Sequence, residues 1–225
     1  MLRRLLLLAL ALLVLLPIAL GGYLYWHAKR AEPTYSGNVA LDGLAAPVTI
    51  RYGAHAVPTI EAANLADLLF AQGYVVAAER LWQMDLLRRL ASGRLAEVMG
   101  EELLAADRFF RTLGLGEAAR TSLAALDDAE RAFLEAYTAG VNAYLAEARG
   151  RLPLEYLIAG FKPAPWVPED SLVIAEYMGW MLSFNAREEL VFLRLAARVG
   201  KERALELFPV DEGVPTAPDA ADIPD

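Results

Sequence analysis

Apolar residues fill the start of the chain without relief. Residues 5–26 carry no charge, and only Pro17 interrupts the run. Arg3 and Arg4 precede it; His27, Lys29 and Arg30 follow it. Twenty-two uncharged residues can span a bilayer as a helix, with Tyr23, Tyr25 and Trp26 as an interfacial belt. A basic start before an apolar run is also what a secretory signal requires. Ala19 and Gly21 would permit cleavage after Gly21. Residues 1–30 are therefore expected to be a signal peptide or an N-terminal membrane anchor, with the body exported in either case.

After a polar link, the pattern changes. Residues 48–52, VTIRY, are rich in β-branched and aromatic types, and residues 57–61, VPTIE, resume an extended run after the turn at 53–56. This predicts a hairpin. Asn64 is positioned to cap a helix that starts near Ala66. In that helix Leu68, Ala71, Val75, Ala78, Trp82, Leu86 and Leu90 recur at steps of three and four, predicting the packed stripe. Asp85 with Arg88 or Arg89 offers ion pairs on the same helix, and these arginines are expected to hold a partner chain. Gly93 should interrupt the helix and Gly100 end the segment. Residues 101–115 read as a helix and turn closed by Gly114 and Gly116. Residues 127–149 form another amphipathic helix, followed by Gly150.

Residues 153–168 contain four prolines and argue against a continuous helix. Pro168, Glu169 and Asp170 open the next helix, with Pro at its first position and acids in its first turn. Val167 is a poor cap, so the proline and the acids must carry that start. This helix is expected to run to about Phe184, and a further one from about Arg187 to Val199. From Pro209 the chain is acidic and Pro-rich, which predicts a disordered linker. The fold class is mainly α with a small N-terminal β-element. The expected divisions are 1–30, 31–208 and 209–225.

Composition narrows the functions open to the chain. The formal net charge is −8, and the first thirty residues hold four basic side chains and no acid, so the remainder carries −12. A body that acidic lacks the basic face that nucleic-acid binding needs. Cysteine is absent, which excludes disulfides, thiolate metal sites and a Cys nucleophile. His27 and His55 lack the neighbours of a metal site or a Ser-His-Asp triad. Ser36, Ser92, Ser122, Ser171 and Ser183 lie outside any G-x-S-x-G elbow. No phosphate loop or G-x-G-x-x-G is present. By residue chemistry alone the chain is an exported helical domain without a catalytic constellation.

Three ordered blocks carry a resemblance. The first is LDGLAAPVTIRY followed by VPTIEAANLADLLFAQGYVVAAERLWQMDLLRRLASGRLAEVMG. The second is EAYTAGVNAYL, and the third is LPLEYLIAGFKPAPWVPEDSLVIAEYMGWMLSFNAREEL. Over residues 39–210 they resemble the α-chain portion of the penicillin acylase (penicillin amidase) family of N-terminal-nucleophile hydrolases. That family also includes cephalosporin acylases and acyl-homoserine-lactone acylases. Thr59 stands where most relatives have His, so no role is given to it.

The resemblance implies a precursor cut autocatalytically into an α- and a β-chain, the heterodimer forming an αββα sandwich. The nucleophile would be a Ser at the β-chain N-terminus, activated by its own α-amino group, with the oxyanion hole also on the β-chain. Residues 209–225 would then begin the spacer. The substrate would be a small acyl amide: a β-lactam side chain, an N-acyl-homoserine lactone or a related compound. The resemblance also implies that the α-chain contributes Met181 and Phe184 to an apolar acyl pocket, with Leu182 and Trp180 as lesser candidates. Glu189, or failing it Glu188, would give one carboxylate to a structural calcium held mainly by the β-chain. A rival reading is a non-catalytic, membrane-anchored helical interaction module.

Overall fold

The computed structural model describes residues 2–183 and 186–207. The chain divides into two compact units, Met1–Met178 and Gly179–Asp225. The first unit opens with α1 (Leu2–Ala31), one continuous helix across Pro17. Two strands follow, β1 (Thr49–Tyr52) and β2 (Pro58–Glu61), paired antiparallel with Ile50 opposite Ile60. Helices α2 (Leu65–Ala91), α3 (Ala96–Met99), α4 (Leu104–Leu113), α5 (Leu115–Ala125) and α6 (Asp128–Glu147) come next, with a 3₁₀ turn at Glu101–Leu103. The short α7 (Leu154–Ala159) leads to α8 (Pro168–Leu182), whose last residues belong to the second unit. That unit continues with α9 (Ala186–Val199) and α10 (Lys201–Leu207), which pack on each other and bury Ala204. The predicted hairpin and a mainly helical body are both present. The linker expected from residue 209 lies outside the described residues.

Local chemistry fixes the starts of the helices. Asn64 caps α2, its side-chain oxygen accepting from the Asp67 N–H at 2.8 Å. Asp67 is itself buried, and its carboxylate accepts the N–H groups of Ala45 and Ala46 at 2.8 and 3.0 Å. It thereby ties the loop before the hairpin to α2. The Ala45 N–H, then the Asn64 amide and the Ala46 N–H, favour the charged form and hold the Asp67 carboxyl below its ordinary value, against a smaller opposing effect of burial. Asp127 and Glu130 form a reciprocal capping box at the start of α6. At α8 the Asp170 carboxylate accepts the Val167 N–H at 3.0 Å, so an acid three residues into the helix supplies the cap that Val167 lacks.

The core is the crossing of α2 and α6. Ala77, Leu81, Met84, Val141 and Tyr144 fill it, with Ala148, Tyr156 and Trp166. Two glycines let the backbones approach. A Cβ at Gly73 would lie 2.1 Å from the Tyr137 carbonyl oxygen, and one at Gly140 would lie 1.8 Å from that of Phe70. Neither obstacle is a side chain that could swing away.

The structure corrects the predicted stripe. Ala71 and Val75 are buried as expected, but Leu68, Ala78, Trp82, Leu86 and Leu90 are only half-buried. The deepest positions after Val75 are Ala77, Leu81, Met84, Asp85, Arg88, Arg89 and Ala91. The inward face is turned by roughly one residue from Ala77 onward, and it is partly charged; α2 also leaves helical geometry at Arg80 (φ −135°, ψ 17°). Gly116 does not close a turn either. Gly114 alone takes the left-handed conformation, and Gly116 lies inside α5.

Gly73→Ala and Gly140→Ala are expected to destabilise the domain by about 1–3 kcal/mol each. Thermal unfolding should show the larger loss for Gly140→Ala, whose added methyl meets backbone at the shorter distance. Acid should also unfold the domain partly through Asp67. Its depressed pKa gives a stabilisation that is complete above the ordinary carboxyl range and is lost as pH falls through the folded value. Unfolding followed against pH should therefore show a shallower acid limb in Asp67→Asn.

Candidate functional site

The buried charges on α2 draw distant segments to one point. Asp85 is 0 % exposed; it accepts from Arg88 Nε at 2.8 Å and lies 2.7 Å from Arg88 Nη2 as an ion pair. It also accepts from Arg89 Nε and the Tyr156 hydroxyl, both at 3.3 Å. Arg88 reaches beyond its own helix. Its Nη1 donates to Asp170 at 2.7 Å and to the Pro165 carbonyl at 3.1 Å, and its Nη2 donates to the Ala164 carbonyl at 2.9 Å. Every nitrogen of the guanidinium thus has an acceptor. The same guanidinium lies 4.8 Å over the Trp166 ring. Asn142 on α6 closes the cluster: its amide donates to the Trp166 carbonyl at 2.9 Å and accepts the Trp166 N–H at 2.8 Å. The Trp166 indole donates to Ser171 at 2.9 Å.

Arg89 pairs with Glu97 at 3.2 Å and lies 5.2 Å over the Phe161 ring. Burial, then the adjacent Asp85 carboxylate, pushes the Tyr156 phenol well above its ordinary value, so it remains a neutral donor. The arginines expected to hold a partner chain are turned inward and hold their own chain instead. The node's charged groups are paired with one another. Its part is to fix α2, α6, the Pro-rich connection and the start of α8 to one another.

Two cavities flank the α2–α6 crossing. One, of about 550 Å³, is almost wholly apolar, with Leu69, Val76, Met84, Phe133, Tyr137 and Ile174 in its walls. The other, of about 500 Å³, includes Tyr35, Tyr52, Tyr74, Tyr144, Glu147 and Arg151. Three serines are occupied structurally. Ser122 donates to Glu176, Ser171 accepts the Trp166 indole N–H, and Ser183 donates to the Gly179 carbonyl.

Of the sequence-predicted site residues, Met181 stands in the last turn of α8 and is 40 % exposed, with Leu182 more exposed beside it. Trp180 is half-buried. Phe184 lies outside the described residues. Glu189 is exposed on α9. Among the described residues no cluster of three or more His, Cys, Asp or Glu could hold a metal. Calcium takes six to eight oxygen ligands, so Glu189 could serve as one ligand and this chain's described residues do not make a site alone.

Residues 47–217 match the sequence profile of the family described as penicillin amidase. The chain belongs to the penicillin amidase family. It is 40 % identical over 204 residues to acyl-homoserine lactone acylase QuiP of Pseudomonas aeruginosa, covering 88 % of this chain and 24 % of that protein. It is 40 % identical over 154 residues to penicillin acylase 2 proenzyme of a Pseudomonas species, covering 68 % of this chain and 20 % of that protein. The chain thus spans about a quarter of the length of the curated relatives it matches. Among solved structures it resembles one chain of the thermostable penicillin G acylase from Alcaligenes faecalis, with a TM-score of 0.56 and 31 % identity. That match covers 80 % of this chain and 98 % of the other.

Membership in the penicillin amidase family gives the node its meaning. Its residues come from all three blocks that carry the sequence resemblance: Asp85, Arg88 and Arg89 from the first, Asn142 from the second, and Tyr156, Trp166 and Asp170 from the third. Sequence reading gave Asp85, Arg88 and Arg89 ion pairs and Asp170 a place in the first turn of α8, and quoted Asn142, Tyr156 and Trp166 only as members of a pattern. Their complementary donors and acceptors were the available signal.

Arg88→Ala would leave buried Asp85 and half-buried Asp170 without their shared cation and should cost about 3–5 kcal/mol. Arg88→Lys keeps the charge but offers three donors in place of five, and it should recover only part of the loss in a denaturant titration.

Proposed function

We propose that this chain is the α-subunit portion of an exported acylase that hydrolyses a linear acyl amide, with its nucleophile on a second chain cut from the same precursor. One observation carries the reading. The chain covers 98 % of one polypeptide of a penicillin G acylase structure, yet only about a quarter of the full-length relatives. That is the relation expected of one subunit in a processed enzyme. The word proenzyme in the name of one relative agrees with it.

In this reading the Ser hydroxyl at the second chain's N-terminus attacks the amide carbonyl carbon, and its α-amino group takes the proton. Collapse of the tetrahedral intermediate breaks the C–N bond, and the departing amine takes that proton. Water then releases the acyl group and restores the serine. The node fits a supporting role for the present chain, because its charged groups are paired with one another. The apolar cavity beside the α2–α6 crossing is a natural seat for the second chain.

Met181 and Phe184 are proposed to form part of the acyl pocket. An exposed Met at a helix end is adaptable enough to meet an acyl tail. Glu189 is proposed as one ligand of a calcium completed by the second chain. Among the acyl amides of this family, N-acyl-homoserine lactones are favoured by the 40 % identity to QuiP over 88 % of the chain. Export is supported by α1, whose most apolar stretch has a mean hydropathy of 2.8 and no buried residue.

The test begins with the coding sequence beyond Asp225. The proposal expects an in-frame segment with an internal Ser that becomes a new N-terminus, and two chains after maturation. A precursor that matures into two chains but cleaves no N-acyl-homoserine lactone, β-lactam side chain or other acyl amide would sink the enzymatic reading. Met181→Trp in the matured enzyme should lower kcat/KM for long acyl chains relative to short ones by about 10–200-fold. An unchanged ratio would remove Met181 from the pocket.

A further inference from the structure

We infer that α1 is a retained membrane anchor and that the body rests on the bilayer through α7. The inference does not depend on the acylase reading. The uncharged run is twenty-two residues long, whereas the apolar region of a signal peptide has about 7–15. At about 1.5 Å per residue it spans about 33 Å, enough for a hydrocarbon core of about 30 Å. The helix does not break at the candidate cleavage point. Gly21 and Gly22 lie inside α1, which continues to Ala31. A protease needs a locally open chain, and a continuous helix withholds it.

The far end of α1 is built as an interface. Tyr23, Tyr25 and Trp26 are exposed near its end, and the Arg30 guanidinium lies 4.5 Å over the Trp26 ring. Aromatic rings followed by cations suit the headgroup level of a bilayer. Leu10 to Leu20 is exposed, but Leu24, His27 and Ala28 are half-buried where this end of α1 meets α7.

The connection to the body is short. Four residues after Ala31, the Tyr35 ring packs on Tyr52 at 4.8 Å, and the Tyr35 hydroxyl reaches Glu79. Four residues extend at most about 14 Å. The body is therefore held close to wherever α1 leaves the membrane. There α7 presents Leu157 and Ile158, which are 41 % and 72 % exposed. A bilayer surface next to the α1 exit is the occupant that continuity with a membrane-length helix supplies. These two side chains would enter the interfacial layer while Tyr156 of the same helix anchors α7 to Asp85.

The full chain is the object of the test. Expressed with a C-terminal tag in a bacterial host, it should keep its N-terminus upstream of residue 5 and stay in the membrane pellet after alkaline carbonate. An N-terminus at or beyond Gly22 overturns the inference wherever the chain fractionates, and so does an intact chain in the supernatant. Replacing Ala19 and Gly21 by leucine should leave the N-terminus unchanged; a mass increase over wild type larger than the two substitutions themselves add means that wild type is cleaved.

The α7 contact is read separately. This chain has no cysteine, so Ile158→Cys can be labelled alone with a fluorophore and reconstituted into phosphatidylcholine–phosphatidylglycerol vesicles. Lipids spin-labelled near the headgroup should quench it at least twofold more than a label at Arg120→Cys on α5. Equal quenching overturns the α7 part. Crosslinking of the Ile158 position to another protein in place of lipid overturns it as well.

Discussion

A buried guanidinium has five donors to satisfy, and the fold is arranged around satisfying those of Arg88. Removing such a group from water is costly unless it is both paired and fully hydrogen-bonded. Asp85 supplies two contacts from the same helix. The other three acceptors come from Ala164, Pro165 and Asp170, about eighty residues along the chain. The Pro-rich connection must run where its carbonyls can receive those N–H groups. Prolines suit the task, because they lack N–H donors of their own and keep the segment out of helix. Asp170 does two things with one carboxylate, accepting the Val167 N–H that starts α8 and pairing with Arg88. Helix initiation and tertiary pairing are thereby linked in one residue.

The node depends in turn on the glycine crossing. Gly73 and Gly140 bring α2 and α6 to backbone contact, which places Asn142 against Trp166 and Tyr144 against Tyr74. A wider crossing would lengthen these contacts. The domain therefore uses two devices of opposite character, small apolar residues for proximity and a buried ionic cluster for registration. Neither performs chemistry, and both come from the stretches by which the family is recognised.

What could be read in the sequence was local or shared with a family. The hairpin, the Asn64 cap, the Asp127 start and the proline opening α8 follow from short-range rules, and the structure has them all. The phase of the buried stripe on α2 was misread because periodicity counts only apolar residues, whereas Asp85, Arg88 and Arg89 lie on the inward face. Their burial is decided by partners in Tyr156, Phe161 and the 164–170 segment, which no local window includes. α5 was missed because Gly114 and Gly116 look alike in sequence, although only Gly114 adopts a left-handed backbone. The site was legible only through resemblance. Met181 and Glu189 stand on exposed positions of α8 and α9, and exposure alone assigns neither a role.

In the proposed reading the chain supports chemistry that is initiated on a second chain. Labelling the matured enzyme with a serine-directed sulfonyl fluoride, followed by mass mapping of the modified peptide, tests this most directly. The account predicts stoichiometric label on the N-terminal serine of the second chain and loss of activity, with none on the present chain. Label on Ser92, Ser122 or any other serine of this chain, in step with inactivation, would contradict it.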